Sequence, residues 1–106
     1  MKFYFEKSES LKVFYIVHGA VQGVGYRWFV KRMARRNGVD GIVRNAANGS
    51  VEILADADEQ RVLQFEKDIN VSVGGGPQVF NIERYPEHER GFRELGSYKG
   101  FVISKD

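Results

Sequence analysis

The sequence predicts an α+β fold of the ferredoxin-like kind, a βαββαβ sandwich with two helices on one face of an antiparallel sheet. Three observations predict it. At 106 residues the chain has room for a single core. Strand-like runs of β-branched and aromatic residues give way twice to a helical apolar spacing. Read in order, these segments run strand, helix, strand, strand, helix, strand. The plan occupies residues 11–106. Residues 1–10 lie outside it as an N-terminal extension, either an added edge strand, since Phe3 and Phe5 alternate with polar residues, or a tail.

Leu11 to Val17 reads Leu-Lys-Val-Phe-Tyr-Ile-Val, a strand buried on at least one face. A glycine-rich loop, Gly19 to Gly25, follows it. Tyr26, Phe29, Val30, Met33 and Ala34 then fall at helical spacing, and Asn37-Gly38 supplies a stop. Gly41–Asn45 and Ser50–Ala55 form the next two strands. Asn48-Gly49 between them predicts a tight type I′ hairpin, which needs positive φ at both central residues. Asp58 is an N-cap and Glu59 suits the helix dipole. Val62, Phe65 and Ile69 carry a second helix to about Val71. Gly74-Gly75-Gly76-Pro77 breaks it. Gln78 to Arg84 alternates as a strand, Tyr85 to Gly96 reads as a charged loop, and Tyr98 to Ser104 ends the pattern as a final strand.

Composition narrows the function classes. Without cysteine there is no disulfide framework, thiolate metal site or cysteine nucleophile. Sixteen basic residues against fourteen acidic give a net charge of +2, too near neutral to imply a nucleic-acid or membrane partner. No apolar run approaches the ~20 residues of a membrane span, and the N-terminus lacks the apolar stretch of a signal peptide. A cytoplasmic location and a monomer are the expectation. The average conceals an asymmetry, because Arg27, Lys31, Arg32, Arg35 and Arg36 lie between His18 and Asn37 with no acidic residue among them. The remainder of the chain is net acidic. The basic segment admits two readings: a solvated helix face, or a positive field that draws anionic substrates to the adjacent loop.

That loop has a chemical use. The first N–H groups of a helix lack intrahelical partners and carry partial positive charge. Glycines allow neighbouring N–H groups to curl around one point, which makes an anion nest. Arg27, in the first helical turn, can hold two phosphate oxygens with one guanidinium. The spacing is neither a P-loop, which requires Lys-Ser/Thr after its last glycine, nor a dinucleotide fingerprint, since Trp28 stands where the third glycine belongs. Chemistry therefore indicates a small anion, against the alternative that the glycines only make a tight turn. Asn45 ends its strand beside the hairpin turn. Its amide can serve a ligand or water, or merely satisfy local backbone groups.

These residues carry a resemblance. Gly19-Ala20-Val21-Gln22-Gly23-Val24-Gly25-Tyr26-Arg27 is similar to the acylphosphatase signature Gly-x-Val-Gln-Gly-Val-x-Phe/Tyr-Arg. Gly41-Ile42-Val43-Arg44-Asn45, followed by Asn48-Gly49-Ser50-Val51-Glu52, resembles the second signature, Gly-Trp-Val-x-Asn with a turn and Gly-x-Val-Glu. The likeness runs from about Leu11 to Ser104. It implies the βαββαβ sandwich and the hydrolysis of acyl phosphates to a carboxylate and inorganic phosphate. By motif position it implies that Arg27 binds the phosphoryl group and that Asn45 orients the attacking water. It further implies that Gln22, Gly23, Val24, Gly25 and Tyr26 supply phosphate-binding N–H groups, with no metal or organic cofactor. The sequence departs from the common pattern at Ala20, Ile42 and Asn48. Tyr26 adds a hydroxyl whose partner the sequence does not identify.

Other residues carry less. His18 and His88 lack companion ligands at metal spacing; the first is expected to be structural and the second solvated. Trp28 lies off the apolar stripe and is expected to pack at its edge. An RNA-recognition module shares the element order, but Ser50-Val51-Glu52-Ile53-Leu54 offers no aromatic residue to stack a base. A non-catalytic anion-binding domain is the other class to weigh, and retained Arg27 and Asn45 argue against it.

Overall fold

The computed structural model describes residues 10–105. Strands β1 (Leu11–Ala20), β2 (Asp40–Asn45), β3 (Val51–Ala57), β4 (Gln78–Pro86) and β5 (Phe101–Ile103) form one sheet in the order β4-β1-β3-β2-β5. Helices α1 (Tyr26–Asn37) and α2 (Glu59–Ile69) join β1 to β2 and β3 to β4. The three pairings among the first four strands are all antiparallel, as the βαββαβ plan requires. The proposed strand or tail at the N-terminus falls outside the described residues except for Ser10, which is exposed.

Both helices lie on one face of the sheet. Between them and the strands sits a core that includes Val13, Tyr15, Val17, Val30, Val43, Ile53, Val62, Phe65 and Ile69. The α1 stripe of Tyr26, Val30, Met33 and Ala34 is buried, and Gly38 ends the helix in the left-handed conformation. Asp58 caps α2 as the sequence predicts, its carboxylate accepting from Arg61 N at 2.9 Å. Burial holds the Tyr15 phenol far above its ordinary pKa, so it stays protonated and donates to Glu66 at 2.7 Å, tying α2 to β1.

The structure adds to the predicted plan at three places. First, the sheet is mixed, because β5 runs parallel to β2. β4 occupies one edge of the sheet and β5 the other, so the chain after Pro86 must cross the sheet to reach the free edge of β2. Second, the crossing segment 87–100 is no mere solvated loop. Phe92, Leu95 and Tyr98 pack against Phe14, Ile42 and Leu54 and make a second, smaller cluster on the face opposite the helices. Ile42, where the resemblance expects tryptophan, points into this cluster, with its Cδ1 beside Gly96. Third, the hairpin is one residue longer than predicted. Gly49 N donates to Ala46 O at 3.2 Å and Ala46 N to Ser50 O at 2.9 Å. The central pair is thus Ala47-Asn48, and Gly49 takes the positive φ of +96° that follows such a turn. The Asn48 side chain then secures the start of the next strand, where its Oδ1 accepts from Ser50 N at 3.0 Å and Ser50 Oγ at 2.6 Å.

Candidate active site

The C-terminal ends of β1, β2 and β5 meet the N-terminus of α1 at one end of the sheet. Gly19, counted in sequence as part of the anion loop, belongs instead to β1. A register shift separates it from His18, and a Cβ there would stand 2.1 Å from Gln78 O. Close approach of β4 requires that glycine. The loop proper is Val21 to Gly25. Val21 is buried and anchors it, whereas Gly23, Val24 and Gly25 face solvent. Gly23 has φ +75° and Gly25 φ +80°, and no atom lies within 4 Å of a Cβ built at either. Backbone conformation, not space, demands glycine at both. Gly25 is the N-cap of α1, no side chain caps that helix, and no acidic residue occupies its first turn. The terminal N–H groups remain available to an anion.

Gln22 does something the sequence did not reveal. Its Nε2 donates to Ala46 O and to Ser50 O, each at 2.8 Å. Those carbonyls flank the β2–β3 turn, so the amide latches the loop to the hairpin that follows Asn45. Gln22 thereby brings the two signatures together. Asn45, the last residue of β2, is half-buried. Its Oδ1 is fully buried yet has no hydrogen-bond partner in the protein. An acceptor in that state carries a desolvation cost unless water or a ligand completes it.

Arg27 is half-buried on α1, and its Nη1 lies 3.5 Å from Ser104 O, just past β5. Ser104 N in turn donates to Val43 O at 2.8 Å, so the arginine lies against a strand end fixed to β2. Tyr26 is buried, and burial raises its phenol pKa far above the ordinary value. The protonated hydroxyl donates to Ile69 O at 2.8 Å. That carbonyl belongs to the last residue of α2 and lacks an intrahelical donor, so Tyr26 ties the start of one helix to the end of the other.

Just beyond the hairpin, a depression of about 590 Å³ is lined by Gln22, Arg44, Asn45, Ala46, Ala47 and Glu52. Glu52, with its side chain 8% exposed, receives Arg44 at 2.8 Å and Arg93 at 2.6 Å. This pair of arginines ties the crossing segment to β2 and β3. A larger depression at the other end of the sheet includes Leu11, Leu63 and His88 and shares no residue with the candidate set.

The expectation for Trp28 is corrected. It does not pack at the stripe's edge but is 65% exposed, with Lys31 Nζ 5.6 Å from its ring centroid. His18 is structural as expected: its Nε2 contacts Glu83 Oε2 at 2.5 Å. His88 is exposed. Along α1, Arg32, Arg35 and Arg36 are exposed, while Lys31 is half-buried. Among the described residues no group of three or more His, Asp or Glu could hold a metal ion, and no helix is long and apolar enough to cross a membrane.

Comparison with known proteins places this arrangement. The acylphosphatase family model matches residues 13–103. The chain belongs to the acylphosphatase family. It is 40% identical over 85 residues to an acylphosphatase of Thermococcus kodakarensis, a match covering 76% of this chain and 90% of that one. It is 42% identical over 69 residues to an acylphosphatase of Koribacter versatilis, covering 65% of this chain and 59% of that longer protein. The crystal structure of an acylphosphatase from Bacillus subtilis superposes with a TM-score of 0.72 at 33% identity, covering 90% of this chain and 99% of that one. Acylphosphatase membership and the shared fold support an enzyme that hydrolyses acyl phosphates.

Proposed function

We propose that the chain hydrolyses acyl phosphates to a carboxylate and inorganic phosphate without a metal ion or cofactor. In this reading the backbone N–H groups from Gln22 through Tyr26 and the Arg27 guanidinium hold the phosphoryl oxygens. Asn45 positions the attacking water. The observation that carries the reading is the buried Asn45 Oδ1 without a protein partner, held beside an uncapped helix N-terminus by the Gln22 latch.

The chemistry needs little more. Water oxygen attacks phosphorus as the bond from phosphorus to the acyl oxygen breaks, and the electron pair leaves with the carboxylate. Both protons of the water end on phosphate oxygens, giving dihydrogen phosphate. A carboxylate is a good leaving group, so no strong acid is required. Phosphoryl transfer depends chiefly on alignment and on neutralising charge at the equatorial oxygens. Loop N–H groups and Arg27 supply that neutralisation already oriented, and an Asn45-bound water reduces the entropy of alignment. Asparagine cannot serve as a base, so the substrate's own phosphoryl oxygen is the proton acceptor.

The test is phosphate release from acetyl phosphate and benzoyl phosphate in the presence of a chelator. Turnover above the spontaneous rate, undiminished by chelation, is expected. A folded sample without turnover would reduce the chain to an anion-binding domain, and turnover abolished by the chelator would refute metal independence.

A further inference from the structure

The helix that opens at the candidate site carries one large aromatic side chain that the fold does not use. Trp28 is the single tryptophan of the sequence and is 65% exposed. Side chains on a helix lean toward its N-terminus and cover the preceding turn. For Trp28 that turn holds Gly25 and Val24, three and four residues back. Val24 is itself 36% exposed. The two glycines bring no side chain between these apolar groups, and the space above both glycines is open. Lys31 reaches back over the Trp28 ring, which places an ammonium beside it.

Direction decides what this patch is for. Asn45 comes from the sheet, beneath α1. The buried stripe of α1, beginning at Tyr26, faces that sheet. Trp28 lies about 200° around the helix from Tyr26, on the side turned away from the strands. In-line displacement puts the leaving group opposite the attacking water. A water held by Asn45 therefore sends the acyl group outward, past Val24 and Trp28. We infer that Trp28, together with Val24, forms an acyl-group subsite that favours substrates with an aromatic or extended apolar acyl group over acetyl. This inference rests on the hydrolytic reading above.

Two measurements test it. In the first, kcat/KM is compared for benzoyl phosphate and acetyl phosphate in the parent chain, Trp28→Ala and Trp28→Phe. The benzoyl-to-acetyl ratio is expected to fall about three- to tenfold in Trp28→Ala, the range of a single aromatic contact, and to recover in part in Trp28→Phe. An unchanged ratio, or an equal loss for both substrates together with a changed inhibition constant for inorganic phosphate, would overturn the inference. The second measurement does not need turnover. Because the sequence has one tryptophan, its emission reports on Trp28 alone. Benzylphosphonate should change that emission saturably, inorganic phosphate should reverse the change, and methylphosphonate should have little effect. Equal responses to the two phosphonates would refute the subsite. A parent chain that hydrolyses neither substrate yet shows the benzyl-selective response would lose the proposed hydrolysis and keep the subsite.

Discussion

In the proposed reaction Arg27 and Asn45 share the handling of one phosphoryl group and its water, and they differ in charge and in how the fold holds them. The guanidinium offers a planar fork to phosphate oxygens, which an ammonium cannot reproduce. Arg27→Ala is expected to remove inhibition by inorganic phosphate, and Arg27→Lys to restore it only in part. Asn45→Ala should instead lower kcat by about 10²-fold, the scale of losing one oriented polar group in an active site, while phosphate still competes with substrate. Steady-state kinetics with phosphate as inhibitor separates the two roles, and an Asn45→Ala enzyme with normal kcat and weakened phosphate binding would reverse the assignment. Both residues are legible in the sequence because each stands in a contiguous motif. The hydroxyl of Tyr26 is not. Its partner is the carbonyl of Ile69, a residue of the other helix, and no local pattern points to a contact across such a separation.

The elements show the same contrast between local and distant signals. Both helices follow from apolar spacing and their end residues, and Asp58 caps α2 as its position predicts. The hairpin register differs from the predicted one because Asn48-Gly49 is a strong signal for one turn and an acceptable ending for another. Only the Ala46–Ser50 pairing distinguishes them. The glycine loop is legible as a loop, but its latch is not, since Gln22 reaches carbonyls 24 and 28 residues away. Gln22→Ala removes both hydrogen bonds and leaves the loop and hairpin to move independently. At about 1 kcal/mol each, their loss should cost about 2 kcal/mol of stability. It should also lower kcat/KM by about 10- to 100-fold, because small displacements of aligned groups are costly. Urea unfolding and initial rates measure the two effects, and a variant with full activity would show that the loop holds its position unaided.

At the scale of the whole molecule, the second face of the sheet is the main departure from the predicted two-layer sandwich. Charge and proline in residues 85–96 suggest a solvated loop, and the scattered Phe92, Leu95 and Tyr98 follow neither period that marks regular elements. Their role emerges only where the strands place Phe14, Ile42 and Leu54 opposite them. Glu52 fastens this covering through Arg44 and Arg93. Glu52→Gln should lower unfolding stability by about 2 kcal/mol, less than for a fully buried ion pair because both arginines reach solvent. A denaturant midpoint equal to the parent's would show that the apolar contacts alone hold the segment. The crossing of the sheet also makes the arginine's contact a long-range closure. Arg27 meets Ser104, 77 residues further along the chain, and β5 reaches the edge of β2 by way of residues 87–100, which traverse the open face. The loop, its latch and Asn45 all belong to the first half of the sequence. The strand end against which the arginine lies is synthesised after all of them. Such long-range closure slows folding, and a nascent chain can complete the glycine loop and its latch well before the strand end that meets Arg27 exists.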